Sequence, residues 1–232
     1  MKKVFVHLGA GAGDLDHRAN FRCGVTEFIK KNYNLGDKIY CVEANSLNIK
    51  KLKKTYEKYQ NVEIYNLAIA NNKSNKIKFF YTDKDAPHFQ VASIKEDHVK
   101  NQYPNEIVKN FIVDAVTISD LFKLINQTNI DYLSIDLEGI DFEILMSIDF
   151  KKNQIKKISI EHLHLTKSQK KIMVNHLAEN GYSYCGFGYD HNNFDFLFVR
   201  KKIYWNIILS KIFLPLIKKK KYNILNFFIL KN

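Results

Sequence analysis

Residues 4–14 read VFVHLGAGAGD, a run of five mostly apolar, β-prone residues followed by Gly9, Gly11 and Gly13 at alternate positions. This pattern is typical of a buried parallel strand that ends where the backbone must turn tightly beside a ligand. A bound nucleotide is the first interpretation, although a glycine-rich turn can also be no more than a turn. The remainder of the chain is needed to distinguish a nucleotide-binding loop from a simple turn.

Length and composition indicate one α/β domain with a substantial core. The chain has 232 residues, of which 46% are hydrophobic. Its three cysteines are odd in number and widely spaced, which argues against a disulfide framework or a CxxC metal site. A reducing, cytoplasmic compartment fits this cysteine usage.

The net charge of +12 is concentrated at the C-terminal end. Residues 200–232 hold nine of the 36 basic residues and no acidic residue, so residues 1–199 carry 27 basic against 24 acidic side chains. Because the body is nearly neutral, no nucleic-acid partner is expected.

The chain is expected to divide into a domain at 1–200 and a basic, hydrophobic tail at 201–232. In the tail, the apolar run 203–217 is shorter than the about 20 residues that a membrane-spanning helix needs. Tyr204 and Trp205 beside the lysines of 218–221 suit peripheral contact with the inner face of the membrane. The alternative is packing of the tail against the domain or a second subunit, with the lysines solvated.

Hydrophobic periodicity predicts strands that alternate with helices along the domain. We expect helices at 24–33, at 46–59 with Ser46 as its cap, at about 118–125 capped by Ser119 or Thr117, at 140–148, and after Thr166. Further strands are expected at 38–42, 62–66, 77–81, 111–116, 130–135 and 155–160, with a closing antiparallel hairpin of 182–187 and 194–199. The prediction is an open, mainly parallel sheet with helices on both faces.

Acidic residues follow three of these strands. Glu43 ends the second strand, Asp136 and Glu138 follow the strand at 130–135, and Glu161 ends the strand at 155–160. Since the carboxyl ends of parallel strands share one edge of the sheet, these acids are expected to converge on the glycine loop. The alternative for any one of them is a helix cap or a solvated turn. Glu43 could accept both hydroxyl protons of a ribose, but the GxGxG spacing lacks the later glycine of the dinucleotide motif, which disfavours NAD.

Six segments together resemble the successive motifs of the FkbM family of S-adenosylmethionine-dependent methyltransferases: HLGAGAGD, CVEAN, NLAIANNKSNKIKFF, VTISDL, DYLSIDLEGIDFEIL and ISIEHLH. The resemblance implies a Rossmann-like class I methyltransferase fold, with a seven-stranded, mainly parallel sheet whose last strand is antiparallel. It also implies O-methylation of hydroxyls on sugars or other small metabolites.

The resemblance assigns roles to individual residues. Gly9, Gly11 and Gly13 line the methionine part of the cofactor, Glu43 holds the ribose with Ala44 next to it, Ala68 lies by the adenine, and Asp136 faces the methyl donor. Two positions depart from the family pattern. The family commonly has Asp where this chain has His7, and Lys where it has Ser134.

Methyl transfer to a hydroxyl needs a group that removes the hydroxyl proton. The candidates at the converging strand ends are Asp136, Glu161, His162 and His164, and the alternative is a Mg²⁺ ion held by Asp136 and Glu161. Contacts to the acceptor are expected from Glu138, from the stretch 87–103, and from the polar loop that contains Asp14, Asp16, His17 and Arg18.

The expected function is methylation of a hydroxyl on a sugar, a sugar nucleotide or a surface glycan precursor. The alternatives are a non-catalytic nucleotide-binding scaffold and a methyltransferase that acts on another small molecule or on RNA.

Overall fold

A seven-stranded sheet forms the centre of the protein. The computed structural model describes residues 2–15, 23–71, 75–84 and 91–201. Its strands, in chain order, are β1 (Val4–Leu8), β2 (Lys38–Val42), β3 (Val62–Tyr65), β4 (Ala68–Ile69), β5 (Lys76–Thr82), β6 (Val108–Val116), β7 (Asn129–Ile130), β8 (Tyr132–Ile135), β9 (Gln154–Ile155), β10 (Lys157–Glu161), β11 (Tyr182–Phe187) and β12 (Asp195–Arg200). Its α-helices are α1 (Gly24–Asn32), α2 (Ser46–Thr55), α3 (Glu96–Gln102), α4 (Ile118–Leu124), α5 (Asp141–Met146) and α6 (Lys167–Glu179).

The strand order of the central sheet is β11-β12-β10-β8-β1-β2-β3. Strand β1 pairs in parallel with β2 and β8, and β12 runs antiparallel to both of its neighbours. This confirms the predicted mainly parallel sheet with an antiparallel last strand. The carboxyl ends of β1, β2, β8 and β10 consequently lie at one edge.

Helices cover both faces of the sheet, because both faces of its strands are apolar. On one face, Val4, Val6 and Leu8 of β1 belong to a core that also contains buried residues of α4, α5 and α6. On the other face, Phe5 packs with buried residues of α1 and α2, including Ile29.

Helix caps agree with the sequence at two of three positions. Thr117 caps α4, and Thr166 forms a capping box with Gln169 at α6. The prediction of Ser46 as the cap of α2 was wrong, because the Oδ1 of Asn45 accepts the Leu47 N–H at 3.0 Å. Asn45 is itself buried at the end of β2.

Strands β4, β5 and β6 form a smaller sheet; the sequence predicted β5 and β6 as strands but did not predict that they form a separate sheet. Strands β5 and β6 pair antiparallel along their length, and β4 joins β6 in parallel. Helix α3 lies between β5 and β6 in the sequence, in a stretch without clear hydrophobic periodicity. This region lies beside the carboxyl edge of the central sheet and supplies one side of the cleft described below.

The three cysteines are free thiols. Among the described residues, no helix has both the length and the apolar character that crossing a bilayer requires. The tail beyond Lys201 lies outside the described residues, so the predictions for it stay untested.

Candidate active site

A cleft of about 380 Å³ opens at the carboxyl edge of the central sheet. It lies above the ends of β1, β2, β8 and β10, and the smaller sheet closes one side. The structure brings ten of the sequence-predicted residues into its lining: Gly9, Gly11, Gly13, Glu43, Ala44, Ala68, Asp136, Glu138, Glu161 and His164. Clefts of this size are typical of small-molecule sites.

The glycine loop is fixed between three strands. The N–H groups of Gly9 and Ala10 donate to the Val42 carbonyl at 3.0 and 3.1 Å. Gly9 has φ +72°, and a Cβ there would lie 1.7 Å from the backbone oxygen of Asp136. A Cβ at Gly11, which has φ +54°, would meet nothing within 4 Å. The loop therefore packs tightly at Gly9 and leaves open space at Gly11.

Glu43 ties this loop to the end of β2. Its carboxylate is buried and accepts two backbone N–H groups, from Gly11 and from Asn45, each at 2.7 Å. Burial raises the pKa of Glu43, and the two N–H donors oppose that rise. The side-chain amide of Asn66 donates to the Glu43 and Ala44 carbonyls at 2.9 Å, which fixes the backbone at this point.

The opposite part of the cleft collects acidic side chains. Burial, together with neighbouring carboxylates, raises the pKa of Asp136 and of Glu161 well above the ordinary range of a carboxyl group. Asp195, at the start of β12, lies opposite Glu161 in the β10–β12 register. Burial raises its pKa to about 7, and the Ser159 hydroxyl donates to it at 2.7 Å. Strongly perturbed acids in a cleft are a signature of functional sites.

Two histidines face Glu138 within this acidic part. The Nε2 atoms of His98 and His164 lie 3.3 and 3.5 Å from Glu138 Oε2, and His164 Nε2 lies 3.6 Å from Glu161 Oε1. Burial raises the pKa of Glu138, but the imidazoles of His164 and His98 outweigh it and leave the pKa below its usual value.

The turn that carries Glu138 is held from several sides. Glu138 has φ +52°, an unusual conformation for a residue with a side chain. Its carbonyl accepts the Ser93 hydroxyl at 2.7 Å. The Asp141 carboxylate accepts the N–H groups of Leu137 and Gly139 at 2.6 and 3.1 Å. These contacts fix the position of the Glu138 side chain in the cleft.

The structure separates His162 from the other candidate proton acceptors. Its ring stacks on Phe196 with centroids 3.7 Å apart, its Nε2 lies 3.1 Å from the Asn193 carbonyl, and it is not part of the cleft lining. Strand β10 ends at Glu161, so the alternation of side chains along a strand does not apply to His162 and His164.

The predicted substrate loop is described only in part. Gly13–Leu15 forms a 3₁₀ turn, in which Asp14 pairs with Lys30 of α1 and does not line the cleft. Asp16, His17 and Arg18 lie outside the described residues, so their predicted contact with the acceptor stays a prediction.

Sequence reasoning missed three residues of the acidic part: His98, Asp190 and Asp195. Asp195 could have been found, because an antiparallel strand begins at the edge where its parallel neighbours end. His98 lies on the short helix α3, where the pattern gives no signal.

The fold and the cleft together define a Rossmann-like α/β protein with a ligand site at the carboxyl edge of its sheet. Residues 8–184 of the sequence match the model of the methyltransferase FkbM domain. The chain therefore belongs to the FkbM methyltransferase family, as its motifs predicted, and the protein is an S-adenosylmethionine-dependent methyltransferase.

Several solved structures share a similar arrangement at low identity. An rRNA methylase from Streptococcus thermophilus is 10% identical with a TM-score of 0.41, over 87% of this chain and 88% of that one. Precorrin-6y C5,15-methyltransferase from Geobacter metallireducens is 13% identical with a TM-score of 0.42, over 86% and 82%. The fibrillarin pre-rRNA processing protein of Methanococcus jannaschii is 14% identical with a TM-score of 0.42, over 86% and 66%. A sequence search of curated proteins finds no match.

Proposed function

We propose that the protein transfers the methyl group of S-adenosylmethionine to a hydroxyl of a sugar, a sugar nucleotide or a surface glycan precursor. The observation that carries this proposal is the division of the cleft. The glycine loop and Glu43 form one part, and a group of acids with His164 forms the adjoining part. Both parts open into the same space.

The loop part of the cleft fits the cofactor. The open space at Gly11 leaves room for a ligand against the backbone, and the buried Glu43 carboxylate has lone pairs left for ribose hydroxyls. Apolar residues that suit an adenine ring line the same part of the cleft: Leu67, Ala68, Ile69 and Phe79. When bound, S-adenosylmethionine supplies an electrophilic methyl group on a sulfonium sulfur.

Asp136 is the best-placed proton acceptor. Its backbone contacts the glycine loop at Gly9, and burial together with the surrounding acids raises its pKa, which makes its ionised form a stronger base than an ordinary carboxylate. The chain supplies orientation, exclusion of water and a site for the hydroxyl proton.

The hydrogen-bonding side chains of the cleft favour a polyhydroxylated acceptor. Carboxylates accept hydrogen bonds from sugar hydroxyls, and five acids line this part: Asp136, Glu138, Glu161, Asp190 and Asp195. The cleft lining that the structure describes contains no lysine or arginine, whereas the phosphate backbone of RNA is bound by cationic side chains.

Isothermal titration with S-adenosylmethionine tests the cofactor part. We expect Glu43→Gln to weaken binding by at least about 10-fold, because the amide cannot accept both backbone N–H groups and the ribose hydroxyls. Glu63→Gln, at an exposed acid of β3, is the matched control and should bind as the wild type does. Absence of binding by the wild-type protein would contradict the proposed cofactor site.

A transfer assay with labelled S-adenosylmethionine tests the acceptor. We expect methyl incorporation into at least one member of a panel of sugars and sugar nucleotides, and a loss of about 100-fold in Asp136→Asn, which retains the shape of the side chain. Incorporation into RNA alone would replace the proposed acceptor. Cofactor binding without transfer to any hydroxyl compound would favour the non-catalytic scaffold.

A further inference from the structure

Four side chains from three segments meet around Glu138. His98 comes from α3, Glu138 from the turn after β8, and Glu161 and His164 from the end of β10 and the segment after it. The ligand atoms of His98, Glu138 and His164 all lie within 4.8 Å of one another, and so do those of Asp136, Glu138 and Glu161. Glu138 belongs to both groups.

The distances match the edges of a coordination tetrahedron. Donors that lie about 2.0–2.1 Å from a tetrahedral ion are about 3.3 Å apart, whereas neighbouring donors of an octahedral ion at the same bond length are about 2.9 Å apart. The donor separations here are 3.3 Å for His98–Glu138, 3.5 Å for His164–Glu138 and 3.6 Å for His164–Glu161.

Two buried atoms of this cluster have no hydrogen-bond partner among the described residues. The His98 side chain is only 9% exposed, and its Nε2, although near Glu138, has no hydrogen-bond partner within the described part of the chain. Glu161 is 7% exposed, and its Oε2 likewise lacks a partner among the described residues. Buried polar atoms without a partner are rare, and a bound ion would satisfy both of these.

The backbone is shaped to admit the His98 ring. A Cβ at Gly139 would lie 2.7 Å from His98 Nδ1, so a side chain at that position would push the imidazole away from Glu138. The rings of His98 and His164 meet edge to face, with centroids 4.6 Å apart, which leaves both Nε2 atoms beside the same carboxylate oxygen.

We propose that His98, Glu138 and His164 bind one divalent transition-metal ion, with Zn²⁺ as the best match, and that Glu161 lies beside the ion. Two imidazoles and a carboxylate are the ligand set of many zinc sites that keep an open position. Imidazole donors select zinc and its neighbours over Mg²⁺, which prefers oxygen ligands in an octahedral arrangement. The site therefore differs from the Mg²⁺ site at Asp136 and Glu161 that the sequence suggested.

The position of the metal site in the cleft indicates a role in activating the acceptor hydroxyl, an inference that rests on the proposed function. Glu138, Glu161 and His164 line the cleft where the acceptor hydroxyl is expected. An ion there would bind the hydroxyl oxygen and make its proton more acidic, as zinc does with water. Asp136 would then receive the proton.

Metal binding is measured without reference to methyl transfer. The full chain is freed of metal with a chelator and titrated with ZnCl₂ by calorimetry, and with CoCl₂ by visible absorption, which distinguishes four-coordinate from octahedral Co²⁺. We expect one ion per chain and a four-coordinate Co²⁺ spectrum. His98→Gln and His164→Gln should each weaken Zn²⁺ binding by at least about 100-fold, since loss of outer-shell partners alone costs about 10- to 100-fold.

His191→Gln is the matched control, because His191 is an exposed histidine that pairs with Glu27 outside the cluster. It should bind Zn²⁺ as the wild type does. Circular dichroism of the metal-free variants checks their folding, and the wild-type Co²⁺ spectrum tests the site even where a variant fails to fold.

Three results would overturn the proposal: no Zn²⁺ binding tighter than about 10 μM, about −7 kcal/mol; Zn²⁺ binding unaffected by both histidine variants; or an octahedral Co²⁺ spectrum. Calorimetry with S-adenosylmethionine on the same samples separates this failure from failure of the proposed function. A protein that binds the cofactor and methylates a hydroxyl without binding Zn²⁺ would refute the metal site alone.

Discussion

His7 is an ionisable residue held in the middle of the central sheet. It lies in β1 opposite Cys41 of β2 and Ser134 of β8, and it is 2% exposed. Burial lowers its pKa from the usual 6.5 to about 4. His7 is not among the residues that line the cleft.

This pKa shift makes stability depend on pH. Because the pKa of His7 is lower in the folded state, the unfolded chain binds more protons between about pH 4 and 6.5. The free energy of unfolding therefore falls as the pH falls through this window, by about 3 kcal/mol from His7 alone. We expect His7→Leu, which replaces the imidazole with an apolar side chain of similar size, to lose this part of the pH dependence.

Urea denaturation of both proteins between pH 4 and pH 7 measures the effect. As the pH falls, the free energy of unfolding should decrease less for the variant than for the wild type. Parallel pH profiles for the two proteins would show that His7 is not held neutral by burial.

Among the elements, the loop after β1 is the one whose backbone fixes the cleft. Gly9 and Gly11 both have positive φ values, +72° and +54°, but their surroundings differ. Gly9→Ala would place a methyl group 1.7 Å from the Asp136 oxygen, between strands that cannot separate without breaking the sheet. Gly11→Ala meets no atom within 4 Å and adds only the cost of a left-handed conformation, about 1–2 kcal/mol.

The two alanine variants therefore separate folding from binding. We expect Gly9→Ala to lower the free energy of unfolding by more than about 4 kcal/mol, and Gly11→Ala to fold but to bind S-adenosylmethionine at least about 10-fold more weakly, since its methyl group occupies the cleft. Thermal unfolding and calorimetry measure both effects. Equal stability of the two variants would contradict the close packing at Gly9.

The same elements show how much the sequence can predict. The bounds of β1 and β2 were predicted correctly, because buried parallel strands are short apolar runs that end abruptly in glycine or polar residues. The strand-end rule then predicted that Glu43, Asp136 and Glu161 share a cleft. Helix α3 has seven residues, no side-chain cap and one buried residue, Val99, so it leaves no periodic pattern. For that reason, the position of His98 beside Glu138 could not be predicted from the sequence.

At the scale of the whole molecule, acidic and basic side chains are divided between the cleft of the folded domain and the C-terminal tail. The cleft is lined by acids of the folded domain, whereas residues 200–232 carry nine basic residues and no acid. Residues 1–199 carry 27 basic against 24 acidic side chains, so we expect attraction to an anionic surface to come mainly from the tail. This separation lets membrane contact be tested independently of catalysis.

Sedimentation with phosphatidylserine vesicles provides that test. Each lysine near an anionic surface contributes about 1 kcal/mol, so replacing the four lysines at 218–221 by Gln should weaken binding by up to about 1,000-fold. Removal of residues 202–232 should abolish binding, and raising the salt concentration should weaken it, because the Debye length falls to about 3 Å at 1 M. Neutral vesicles are the control. Equal sedimentation of the full and truncated chains would refute membrane contact through the tail, and a lowered melting temperature on truncation without vesicle binding would favour packing of the tail against the protein.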